Sequence, residues 1–178
     1  MTFNHRETIP EEIPLENQEI STMDWVRRAL DQYEAPLVRY AQRYTGNLDT
    51  ARDLVQETFL RLCRADRRQV EGYLAPWLYR VCRNLALDQL RKEQRMVAWD
   101  ENAAASLPSG DTPPSAVAER AEANSRIERL LDPLPKNQQE VIRLKFQESL
   151  SYEEISRVTG LSVSNVGYLL HTGIKTIR

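Results

Sequence analysis

Apolar residues along this chain recur every three or four positions rather than alternating, so the pattern predicts helices and no strands. The first helical run starts near Thr22-Met23-Asp24 and continues to about Tyr44, where Gly46-Asn47 marks a turn. A second run, about Asp49 to Arg64, puts Ala51, Leu54, Val55, Thr58, Phe59 and Leu62 on a core face. Its other face carries Asp53, Gln56, Glu57 and Leu60. A polar loop from about Arg64 to Pro76, with Gly72 in it, leads to a third helix running from Trp77 to about Arg95. Trp77, Leu78, Val81, Cys82 and Leu85 fall on one side of that helix, and Arg80, Arg83, Asn84 and Arg91 on another.

The periodicity lapses between residues 96 and 123, where small residues, Pro108, Ser109, Gly110, Pro113, Pro114 and several carboxylates read as a tether. A helix through Ile127, Leu130 and Leu131 then stops at Asp132-Pro133-Leu134-Pro135. Pro135 suits the first position of the next helix, which carries Val141, Ile142, Leu144 and Phe146. Ser151-Tyr152-Glu153-Glu154 is a capping box, Gly160 supplies the positive φ of a tight turn, and Ser162 offers a second N-cap. Behind Ser162 a last helix buries Val166, Leu169, Leu170, Ile174 and Ile177 and shows Ser164, Asn165, Tyr168, His171 and Lys175. This is the pattern of a helix-turn-helix with a polar face of major-groove type. The fold class predicted is all-α: two small helical domains joined by a flexible acidic linker, the second ending in a helix-turn-helix. The boundaries are an acidic, disordered lead (1–22), a first domain (23–95), a linker (96–115) and a second domain (116–178).

Charge sharpens this division. The net charge of −2 hides segments of −5 (1–26), +5 (27–95), −4 (96–123) and +2 (124–178), and the local field is what a nucleic acid meets. On the Trp77 helix, Arg residues can neutralise phosphates, while a central Asn can also hydrogen-bond a base edge. An ordinary solvated face on an amphipathic helix, or helical hairpins that only pack, would produce the same residues. Cys63 and Cys82 lie in apolar helical patterns and read as a buried, reduced pair in a cytoplasmic protein. His5 and His171 are far apart, so no metal or other cofactor is expected. No nucleophile–base pair or glycine-rich phosphate loop points to an enzyme. The lead has neither a basic start nor an apolar run, and no stretch is long enough to span a bilayer.

Three motifs in order, Asp53-Leu54-Val55-Gln56-Glu57-Thr58-Phe59-Leu60-Arg61-Leu62, Trp77-Leu78-Tyr79-Arg80 with Asn84 and Asp88, and Leu134-Pro135 followed by Leu150-Ser151-Tyr152-Glu153-Glu154-Ile155, resemble an extracytoplasmic-function (ECF) sigma factor of the sigma-70 family. The resemblance covers about 23 to 95 as domain two and 116 to 178 as domain four. It implies that Asp53, Gln56, Glu57 and Leu60 dock on the β′ clamp of RNA polymerase core. It implies that Trp77, Arg80, Arg83, Asn84, Arg91, Lys92 and Arg95 engage the −10 element, with the preceding loop and Asn84 holding a flipped base. It further implies that Ser164, Asn165, Tyr168, His171 and Lys175 engage the −35 element, that domain four meets the β flap, that the acidic linker threads toward the active-site cleft, and that an anti-sigma factor is a candidate partner.

The chain departs from the family pattern twice. Thr50-Ala51-Arg52 stands where relatives carry acidic residues, which makes Thr50 a candidate phosphorylation site that would restore negative charge. The last helix has no Arg or Lys between Asn165 and Lys175, and it contains Gly167 and Gly173, placed either for close packing or for close approach to DNA. Two other readings remain at this stage: a stand-alone helix-turn-helix regulator, and a helical protein that binds an anti-sigma or polymerase surface without touching promoter DNA.

Overall fold

A computed structural model of the chain describes residues 15–99 and 127–177, and every regular element in them is helical. Helix α1 (Leu15–Thr45) starts directly after Pro14, so residues 15–22, expected to be part of a disordered lead, belong to a helix. Gly46 takes a φ of +65° in the turn that follows, and the side chain of Asn47 caps α2 (Leu48–Arg64) by accepting from the Thr50 amide at 2.9 Å. The expected polar loop is instead α3 (Arg67–Val70), capped by Asp66, and a 3₁₀ turn (Glu71–Tyr73) that runs into α4 (Leu74–Trp99). Pro76 is tolerated there because the first turn of a helix has no use for its missing N–H. Helix α4 carries residues 96–99, so the linker starts later than its composition suggests.

After a helical stretch over 127–131, Pro135 sits one position before α5 (Lys136–Phe146). Helix α6 (Tyr152–Thr159) has the complete capping box: Ser151 Oγ accepts from the Glu154 amide at 3.1 Å and Glu154 Oε2 accepts from the Ser151 amide at 2.7 Å. Gly160 ends α6 with a φ of +76°, and Ser162 caps α7 (Val163–Thr176). The helix-turn-helix is therefore specified by local backbone chemistry at each corner. Residues 1–14 of the expected lead, residues 100–115 of the expected linker and residues 116–126 of the expected second domain lie outside the described residues.

Helices α1, α2 and α4 pack on one another through Trp25, Leu37, Tyr40, Ala51, Val55, Phe59, Leu62, Leu78, Tyr79 and Cys82. Helices α5 to α7 pack through Val141, Leu144, Ile155, Val158, Val166, Leu169 and Leu170. These two sets form one continuous apolar cluster, because α4 lies against α6. The buried side of α4 is Leu78, Tyr79, Cys82 and Ala86; Trp77, Val81 and Leu85, read as core, are only half-buried. Phe146 of α5 is 63% exposed.

The glycines of α7 face protein. A Cβ on Gly173 would lie 2.8 Å from Ile142 Cδ1 of α5, which marks close packing, whereas one on Gly167 would meet the Tyr152 ring at an ordinary 3.6 Å. Because Gly167 has helical backbone and ordinary room for a methyl, Gly167→Ala should raise stability by up to about 1 kcal/mol. Gly160→Ala should lower it by about 1–2 kcal/mol, since its left-handed backbone disfavours a Cβ. Urea unfolding followed by circular dichroism measures both.

The cysteines separate rather than pair. Cys82 is buried and its thiol is pushed up to about 12 by desolvation, whereas Cys63, expected to be buried too, is exposed. A thiol-reactive chromophore should titrate Cys63 rapidly in the native chain and Cys82 only after denaturant is added.

Candidate nucleic-acid and polymerase interfaces

On α2, burying Ala51, Val55, Thr58, Phe59 and Leu62 turns the intervening positions outward. Asp53 and Gln56 are exposed, Glu57 is half-buried and accepts from Arg61 Nε at 2.9 Å, and Leu60 is an apolar side chain left 45% exposed. The four residues grouped from sequence thus share one acidic surface with an apolar anchor. At the helix start, Arg52 lies 3.4 Å from Asp49 in an exposed pair, and Thr50 is the third residue of the helix, receiving the cap rather than providing it.

On α4, Arg80, Asn84, Arg91, Lys92 and Arg95 are exposed along the helix, with Arg91 bonded to Asp88 at 2.8 Å. Asn84, Arg80 and Trp77 line a cavity of about 310 Å³ together with Tyr73, Pro76 and Val81. Trp77 is half-buried, packing against the core and also lining the cavity. Tyr73 was missed from sequence because it was placed in an unstructured loop. The 3₁₀ turn holds it beside Trp77, so the cavity has two aromatic walls for stacking and an amide for hydrogen bonds. Arg157 of α6 also lines this cavity, its guanidinium 5.8 Å from the Tyr73 ring centre.

Arg83 does not share that exposed row. Its Nε donates to Glu140 Oε1 at 2.7 Å and its Nη2 to Oε2 at 3.3 Å, in an ion pair where both side chains are largely covered. Tyr40 and Tyr44 of α1 donate to the same carboxylate at 2.7 and 2.5 Å. Burial, and after it the charge of Glu140, pushes both phenols well above their ordinary pKa, so they remain donors. Nearby, Glu128 accepts from Arg43 at 3.0 Å and from the buried Arg143, and Tyr79 donates to Glu148. Burial alone would push the Glu128 carboxyl up, but the Arg43 and Arg143 guanidiniums hold it below the usual range. No sequence signal marks these pairings, which join residues far apart in the chain.

On α7, Ser164, Asn165, Tyr168, His171 and Lys175 are all exposed on one face, opposite buried Val166, Leu169 and Leu170. Tyr168 is 66% exposed, so the face presents an aromatic ring as well as polar groups.

No helix among the described residues is long and apolar enough to cross a membrane, and no cluster of metal-ligating side chains occurs among them.

Comparison with known proteins identifies the family. Residues 29–96 match the family model for sigma-70 region 2, and residues 124–177 that for sigma-70 region 4. The chain is 32% identical over 149 residues to the ECF RNA polymerase sigma factor SigE of Mycolicibacterium smegmatis, covering 83% of this chain and 58% of that one. It is 31% identical over 162 residues to the ECF RNA polymerase sigma factor SigL of Mycobacterium tuberculosis, covering 86% of each. A chain in the solved RsbN–BldN complex aligns over 91% of this chain and 95% of its own length at 23% identity, with a TM-score of 0.32. With both region models in order and relatives spanning most of its length, the chain belongs to the ECF sigma factors of the sigma-70 family, initiation factors of RNA polymerase.

Proposed function

We propose that the three exposed faces divide the work of promoter recognition: α2 docks on the β′ clamp of core polymerase, α4 reads and holds the −10 strand, and α7 reads the −35 duplex while domain four rests on the β flap. The observation that carries this reading is the cavity at the start of α4, where Tyr73 and Trp77 offer stacking faces and Asn84 offers an amide beside Arg80. Extruding a base costs a few kcal/mol of stacking, and a pocket with hydrogen-bonding capacity returns that only for the right base. Arg91, Lys92 and Arg95 continue the row as phosphate contacts. The factor acts in the cytoplasm without cofactor or catalysis of its own, its linker follows the basic cleft of polymerase, and an anti-sigma protein is a further partner that family membership supports.

Asn84→Ala should change which −10 base is preferred, whereas Arg91→Ala should weaken binding about equally across sequences and reduce the salt slope by about one. Open-complex formation by purified core polymerase on a promoter library distinguishes the two. Uniform loss for both variants would make Asn84 structural, and tight duplex binding without polymerase would favour a stand-alone regulator.

The docking face makes a second demand. Arg52 opposes a basic clamp and is only partly offset by the exposed Asp49, so Thr50→Glu and Arg52→Glu should tighten core binding and Asp53→Arg should weaken it. Each change should be worth at most about 1 kcal/mol and shrink in high salt. Titration of labelled core polymerase at two salt concentrations tests this; unchanged affinity for all three would place the clamp contact elsewhere. Phosphorylation of Thr50, which would add about −1.5 to −2 charges, belongs to the same proposal.

A further inference from the structure

Glu140 is held by donors from domain two alone: Arg83 through both Nε and Nη2, Tyr40 Oη and Tyr44 Oη. A planar guanidinium fork with two hydroxyls is a receptor for an anion that offers two terminal oxygens, which describes a carboxylate and a backbone phosphate equally well. Arg83 adjoins Asn84 in sequence and lies one helical turn from Arg80, both of which line the base cavity, so the receptor stands beside it on α4. The half of the chain that contributes Glu140 also sets Arg157 against Tyr73 at that cavity, so one docking event covers both sites.

The join between the halves is apolar where α6 lies on α4 and incompletely filled elsewhere. A cavity of about 560 Å³ lies within it, walled by Tyr40, Tyr44, Arg83 and Leu87 on one side and by Glu140 and Arg143 among the residues opposite. The direct ties at that cavity are polar: Glu140 to Arg83 and the tyrosines, and Glu128 to Arg43. Polar, incompletely filled interfaces are typical of domains that move apart.

We propose that Arg83, Tyr40 and Tyr44 form a binding site for one phosphate of the promoter's single-stranded backbone, and that Glu140 occupies it in the closed chain as a phosphate mimic. Strand binding at this site and closure are therefore mutually exclusive, and the free factor is masked by its own domain four. This rests on the reading of α4 as the −10 helix.

The test uses the full-length chain, with Glu140→Gln as the isosteric variant, Glu140→Ala as the second and Glu153→Gln, an exposed carboxylate elsewhere, as charge control. Small-angle scattering reads the radius of gyration, and anisotropy of a labelled single strand of mixed sequence reads binding. Both Glu140 variants should expand the chain and tighten strand binding by about fivefold to tenfold, the gain expected when a competing conformer is removed, while Glu153→Gln changes neither. Adding Tyr44→Phe or Arg83→Lys to Glu140→Gln should abolish most of that gain. Expansion without tighter binding overturns the phosphate site, no change in either measurement overturns the masking, and a gain that survives both added substitutions reduces it to general charge. Inorganic phosphate alone opening the wild-type chain as well as the strand does would overturn the nucleic-acid assignment. If the gain and its loss occur as expected while Asn84→Ala leaves base preference untouched, the proposal stands and the base-reading role of Asn84 fails instead.

Discussion

The arrangement of the two halves depends on one carboxylate. Glu140 loses most of its contact with water in the closed chain, and an ion so placed costs several kcal/mol unless charge and hydrogen bonds replace that water. Arg83, Tyr40 and Tyr44 supply both, from two different helices of the other half. Those bonds tie α5 to α1 and α4, while α6 packs on α4 and the two small cores meet in one apolar cluster. A 60-residue domain buries little surface by itself, so the shared cluster contributes stability that neither half has alone.

The helices were readable because their signals are local. Gly46, Ser151, Gly160 and Ser162 each do in the structure what their backbone chemistry requires, and the exposed faces of α2 and α7 follow from a 3.6-residue period once their buried stripes are known. Misreadings arose where local signals were weak. Pro10, Pro14 and a run of carboxylates made the start of α1 look like a disordered lead, although Pro14 only precedes the helix. Helix α3 and the turn after it are too short to display a period, so Tyr73 was counted as loop.

Other features were invisible for a different reason: they depend on partners distant in sequence. Arg83 looks like any basic residue on a basic helix until Glu140 is placed against it, and Tyr79 looks like a surface aromatic until it is buried with its hydroxyl on Glu148. Gly173 likewise had two explanations, and the position of Ile142 selects packing. The family and the exposed helix faces were legible in the sequence, whereas the contacts between the two halves were not.

Helices α4 and α7 consequently differ in how freely they can diverge. Outward residues of α7 such as Tyr168 and His171 are exposed, so exchanging them has little effect on folding. On α4, Arg83 lies beside the exposed row, and its replacement would strand a buried anion. The exposed face of α7 can therefore change by ordinary surface drift, while change at Arg83 on α4 requires paired changes in both halves, and substitution without a partner is restricted to positions such as Asn84 that lie off the seam.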